Sequence, residues 1–121
     1  YHTNVLMSVG EEIAVICDAA IPREDQREAV LTRLRETGHR ILSIGFSQLE
    51  AFAGNVLELR NRDGERVIAM SQRARESLTD EQRQVLTAGA RIVSAPIDTI
   101  ESSAGGSVRC MIAEVHLPRG A

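Results

Sequence analysis

The chain has 121 residues, 43% apolar and 26% charged, with a formal net charge of −3. That is enough for one small domain with a real core, because a chain of this size hides roughly two-thirds of its unfolded surface. The weak negative balance gives no electrostatic case for nucleic acid or an anionic membrane as a partner.

Val5 to Val9 reads as a short strand and Gly10-Glu11-Glu12 as a turn. Ile13 to Cys17 is fully apolar and completes a hairpin. Pro22 suits a helix start, and Glu24 and Asp25 fall in the first turn, where the helix dipole favours acids. Ala29, Val30, Leu31 and Leu34 give that helix one apolar face, and Gly38 stops it. Arg40 to Ile44 is a third strand, so the order is strand, strand, helix, strand. Phe46 to Phe52 reads as one or two helical turns, broken at Ala53-Gly54-Asn55. Val56 to Arg60 and Arg66 to Met70 form a second hairpin about Asp63-Gly64. Ser71 to Ser77 reads as helical. Thr79 and Gln82 form a capping box for a helix to Ala88, ended by Gly89, and Arg91 to Ala95 is a strand. The same order has now occurred twice.

The segments Asn4-Val5-Leu6-Met7, Asn55-Val56-Leu57-Glu58 and Ser107-Val108-Arg109-Cys110 align at offsets of 51 and 52 residues. This predicts units over about 1–52, 53–104 and 105–121. Such units stack to bury their faces, so equivalent positions gather about one axis. His2, the Gly54-Asn55 turn and Cys110 are thereby expected near a common centre.

Gly105-Gly106-Ser107 turns the chain, and the apolar run from Cys110 to Val115 reads as a buried strand. Cys110 would then stand at a sheet mouth beside backbone without obstructing side chains. Arg109 next to it favours the thiolate, the nucleophilic form. Against this stands the reading of an ordinary buried cysteine, which is adopted for Cys17. His2 is either a terminal residue or a general acid and base with a suitable titration range. Asn4 and Asn55 are turn residues or paired donor–acceptor groups for a planar polar substrate. Arg109 is a surface residue or the partner of a substrate carboxylate. Glu101 and Glu114 read as solvated strand ends with catalytic carboxylates as the alternative. His39 reads as a surface residue, and His116, in the final strand, is given no role. The two cysteines and three histidines lack the close spacings of zinc sites, so neither metal nor cofactor is expected. With two cysteines and no signal-like or membrane-spanning segment, a reduced, cytoplasmic setting is expected.

His2-Thr3-Asn4-Val5, Phe52-Ala53-Gly54-Asn55-Val56-Leu57-Glu58 and Gly105-Gly106-Ser107-Val108-Arg109-Cys110-Met111 together resemble the guanidino-group-modifying enzymes. That superfamily includes arginine deiminases, dimethylarginine hydrolases and amidinotransferases, and the nearest resemblance is to its citrulline-utilisation hydrolases. It implies an α/β pentein fold, a propeller of five ββαβ units, of which a little over two are present. The remainder, with acidic substrate-holding residues, is expected to precede Tyr1. Cys110 matches the nucleophile and His2 the general acid/base of a hydrolase that acts on a guanidino or ureido carbon through an S-linked intermediate. Asn4, Asn55 and Arg109 are the expected substrate-binding residues. Many relatives carry an acid where Asn4 stands, so a neutral ureido substrate such as citrulline is favoured over arginine. An amidinotransferase with an amine acceptor, a non-catalytic interaction protein and a half-molecule that needs a partner are the alternatives. The expected partner is a small guanidino or ureido amino acid, with self-association or docking to the missing part through open sheet edges.

Overall fold

The computed structural model describes residues 2–115 and 117. A single helical turn, α1 (Thr3–Leu6), leads into β1 (Met7–Val9) and β2 (Ile13–Ile16). A short 3₁₀ turn over Asp18–Ala20 precedes α2 (Glu24–Glu36), and β3 (Arg40–Ser43) follows. After α3 (Phe46–Glu50) come β4 (Leu57–Arg60) and β5 (Arg66–Ser71). Two helices, α4 (Gln72–Ser77) and α5 (Asp80–Thr87), lead to β6 (Arg91–Ala95). The last elements are α6 (Asp98–Ala104) and the turn α7 (Val108–Met111).

The strands form two sheets, ordered β1-β2-β3 and β4-β5-β6. In each the first pair is antiparallel and the second parallel. An antiparallel pair can be joined by a tight turn, whereas a parallel pair needs a crossover. Helix α2 supplies the crossover in the first sheet, and α4 with α5 in the second. The ββαβ order read from the sequence is therefore present twice.

The unbroken apolar run of β2 has two buried faces, as a strand covered on both sides must. Ala14 and Ile16 pack on Leu31 and Leu34 of α2. Val15 and the following Cys17 turn the other way, into a cluster with Ile68 and Met70 of β5. This second cluster joins the two sheets. Polar contacts support the join at the hairpin ends, where Arg60 pairs with Glu11 at 2.6 Å and Arg66 with Glu12 at 3.2 Å. The bonded Glu12 carboxylate raises the already high pKa of Arg66.

Cys17 has no exposed surface, and burial pushes its thiol above the ordinary value of 9.0. The unfolded chain therefore gives up this proton first as pH rises. Above pH 9.0 it binds fewer protons than the folded chain, so unfolding free energy falls with increasing pH. The contribution is complete below the unfolded value and is lost through the folded one. Urea unfolding from neutral pH upward is expected to show this decline, with a shallower slope in Cys17→Ala. An unchanged slope assigns the alkaline loss to other groups.

Three sequence expectations are corrected. Val5 and Leu6 belong to α1, not to the first strand, because Val5 N–H donates to His2 O at 3.0 Å and closes a turn. The residues after Gly106 do not begin a strand. Ser107 O accepts from Cys110 N–H at 3.1 Å, which winds the chain into α7. Residues 112–115 pair with no strand among the described residues, and Val115 is 76% exposed. Apolar sequence alone cannot make a strand when no neighbour offers a ladder. His116 lies outside the described residues. His39, read as a surface side chain, is half-buried and fastens the end of α2. Its Nδ1 lies 3.0 Å from Thr37 Oγ1 and its Nε2 3.1 Å from Gly10 O.

Candidate active site

The three aligned repeat positions meet. Asn55 Nδ2 donates to Asn4 O at 2.7 Å, and Asn55 Oδ1 accepts from Ser107 N–H at 2.9 Å. Asn55 has no exposed surface, and its second amide hydrogen points at Cys110 Sγ, 3.3 Å away. Because Oδ1 must face the Ser107 N–H, the amide cannot be reversed, and the NH₂ group is committed to Asn4 and the sulfur. Its backbone carbonyl also accepts from Arg109 N–H at 3.4 Å. Asn55 is thus wholly occupied in joining α1 to the 105–110 turn, and its route to any ligand runs through the groups that it holds.

Two glycines permit this closeness. Gly54 passes against the backbone of α1, where a Cβ would come within 2.6 Å of Val5 O and 3.0 Å of Leu6 O. At Gly106 a Cβ would lie 3.0 Å from Cys110 Sγ. Phe52, which opens the Asn55 turn, holds a φ of 63° without being glycine. Its carbonyl accepts Asn55 N–H at 2.9 Å, and the Arg73 guanidinium lies 6.0 Å from its ring centre. A non-glycine residue in this region costs on the order of 1–3 kcal/mol and persists where its surroundings fix it.

Cys110 is exposed, in contrast to buried Cys17. Its sulfur lies 4.0 Å from Asn4 Oδ1. An exposed thiol with an N–H donor aimed at it has the access and the stabilisation that a nucleophile needs. His2 is exposed at the start of α1, two residues before Asn4. Arg109 is half-buried, and with Thr3 and Asn4 it lines a cleft of about 320 Å³ between the first strands of the two sheets. The cleft wall is otherwise largely apolar and does not include Cys110. Among the described residues no group of three or more His, Cys, Asp or Glu side chains could hold a metal ion. No described helix is long and apolar enough to cross a membrane.

Glu101 departs most from its sequence reading. It is not a solvated strand end but a buried residue of α6, 5% exposed. Its Oε1 accepts from Ser107 Oγ–H at 2.6 Å, while Oε2 is buried without a hydrogen-bond partner among the described residues. Ser107 was legible through the repeat, which aligns it with Asn4 and Asn55. No local signal marked Glu101 as buried; its burial arises from the fold of α6 onto the 105–107 turn. Glu114 is exposed.

Two ββαβ units joined about a shared centre define a partial pentein, a propeller of α/β units. A family profile described as "N,N dimethylarginine dimethylhydrolase, eukaryotic" matches residues 1–117, and the chain belongs to that family. Among solved structures it is similar to ArgZ in its apo form, an arginine dihydrolase from the ornithine-ammonia cycle in cyanobacteria, with a TM-score of 0.68. The likeness covers 92% of this chain at 14% identity, which speaks for the fold alone, and the chain spans 16% of that protein. No curated protein sequence matches it.

Proposed function

We propose that this chain carries the nucleophile of a hydrolase acting on the guanidino or ureido carbon of an arginine- or citrulline-like amino acid. The observation that carries the reading is the Asn55 amide Nδ2, held 3.3 Å from the exposed Cys110 sulfur and donating to it. The family and the arginine-directed neighbour support the substrate class.

In this reading the Cys110 thiolate attacks the central carbon and forms a C–S bond. His2 protonates the departing nitrogen as the C–N bond breaks. Water, deprotonated by His2, then adds to the carbon, and the C–S bond breaks to return the thiolate. Arg109 receives the substrate carboxylate. Asn4 hydrogen-bonds the reacting planar group, and Asn55 holds both Asn4 and the sulfur in place. A neutral amide at Asn4 suits a ureido group better than a cation, since it supplies no charge to offset a desolvated guanidinium. Citrulline is accordingly expected to give a higher kcat/KM than arginine, and a strong arginine preference overturns that part of the reading.

The nucleophile is tested by intact mass after treating the full-length protein with chloroacetamidine, an electrophile shaped like a guanidinium group. One adduct is expected, retained in Cys17→Ala and lost in Cys110→Ala. An adduct that survives Cys110→Ala removes Cys110 from the role.

A further inference from the structure

The proposed chemistry uses Cys110, His2, Asn4 and Arg109. It leaves unexplained a carboxyl side chain buried within two hydrogen bonds of that site. Glu101 is 5% exposed, has one oxygen on Ser107 Oγ at 2.6 Å, and among the described residues has no partner for the other. Burying a carboxyl group with half its bonding capacity unmet is costly. A carboxyl kept there for packing alone would be better replaced by an apolar side chain.

The connections from Glu101 lead to the sulfur. Ser107 has no exposed surface, so its hydroxyl has no solvent to turn to. The Glu101 oxygen fixes that hydroxyl, and thereby the Ser107 backbone. Ser107 N–H is the donor that dictates which way round the Asn55 amide sits, at 2.9 Å from Oδ1. The amide orientation in turn directs its N–H at Cys110 Sγ, 3.3 Å away. The next residue before Ser107 is Gly106, where even a Cβ would come within 3.0 Å of the sulfur. A small displacement of the turn therefore moves both the thiol and the donor that faces it.

We propose that Glu101 is a positioning residue: through the Ser107 hydroxyl it sets the 105–107 turn and so holds the Asn55 amide hydrogen on the Cys110 sulfur. The inference rests on the reading of Cys110 as nucleophile. The oxygen that acts is Oε1, an acceptor, so glutamine at this position keeps the function and alanine loses it. Misplacement of a reacting group by a fraction of an ångström lowers the rate of the chemical step far more than binding.

The test compares Glu101→Ala, Glu101→Gln, Ser107→Ala and the Glu101→Ala/Ser107→Ala pair in the full-length protein, with Cys110→Ala beside them. Three quantities are read: kcat, KM, and the rates at which Cys110 and Cys17 are alkylated by iodoacetamide. Glu101→Ala is expected to lower kcat and the Cys110 alkylation rate about tenfold, with KM within about twofold. Cys17, buried in the core, should stay protected, which separates positioning from loosening of the fold. Glu101→Gln should restore both rates. Ser107→Ala should reproduce the loss, and the pair should be no worse than either single variant, because both cut one connection. Glu101→Ala with unchanged Cys110 alkylation, a loss not rescued by glutamine, or additive effects in the pair each overturn the proposal. If Glu101→Ala fails to fold, the smaller Ser107→Ala change decides: unaltered kcat and alkylation there overturn it. Activity that survives Cys110→Ala overturns the nucleophile reading itself, and this inference with it. A dead Cys110→Ala beside indifferent Glu101 and Ser107 variants overturns this inference alone.

Discussion

Asn55→Asp is expected to slow alkylation of Cys110, and any turnover that depends on it, about a hundredfold at neutral pH. The substitution is nearly isosteric and keeps the acceptor that Ser107 N–H uses. It removes the two donors that face Asn4 O at 2.7 Å and Cys110 Sγ at 3.3 Å. One acceptor oxygen then opposes both a carbonyl and a sulfur in a site with no exposed surface at residue 55. A negative charge so placed disfavours the thiolate, and the lost N–H no longer offsets it. Iodoacetamide kinetics on the variant measure the effect, and Cys17 protection in the same sample reports whether the core is intact. A variant alkylated at the parent rate would show that Asn55 serves only to close the turn.

Gly54→Ala is expected to cost about 2–3 kcal/mol of stability and to disturb the site as well. The new Cβ would lie 2.6 Å from Val5 O and 3.0 Å from Leu6 O, both backbone atoms that no rotamer change can move aside. Relief requires α1 to shift from the Gly54-Asn55 turn, and with it Asn4, whose carbonyl takes the Asn55 amide. Leu6 O is also the acceptor for Cys17 N–H at 3.1 Å, so the movement reaches the core edge. Urea unfolding measures the stability loss. Parent stability together with parent Cys110 reactivity would mean that the close approach is not needed. Gly64→Ala is the contrasting case, since nothing lies near its Cβ position and only its φ of +82° opposes the change.

The sequence by itself determined the repeat. Short apolar runs, the Asp63-Gly64 turn and the Thr79–Gln82 capping box are local signals. The structure carries each of them, down to Gln82 N–H on Thr79 Oγ1 at 3.2 Å. The alignment of Asn4, Asn55 and Ser107 rests on short segments, yet these residues are hydrogen-bonded in succession. Equivalent positions in stacked units necessarily converge, so spacing alone could indicate where the centre lies.

Tertiary structure decided which groups face which way. Asn55 reads equally well as a ligand for substrate, and only the simultaneous demands of Asn4 O, Ser107 N–H and Cys110 Sγ turn its amide inward. The apolar stretch after Gly106 has the composition of a strand, but strand formation depends on a neighbouring ladder rather than on composition. The backbone closes onto Ser107 instead and leaves Cys110 exposed. Glu101 carries the sequence signature of a solvated charge. Its burial follows from where α6 and the 105–107 turn come together, a long-range consequence of chain path that no local pattern encodes.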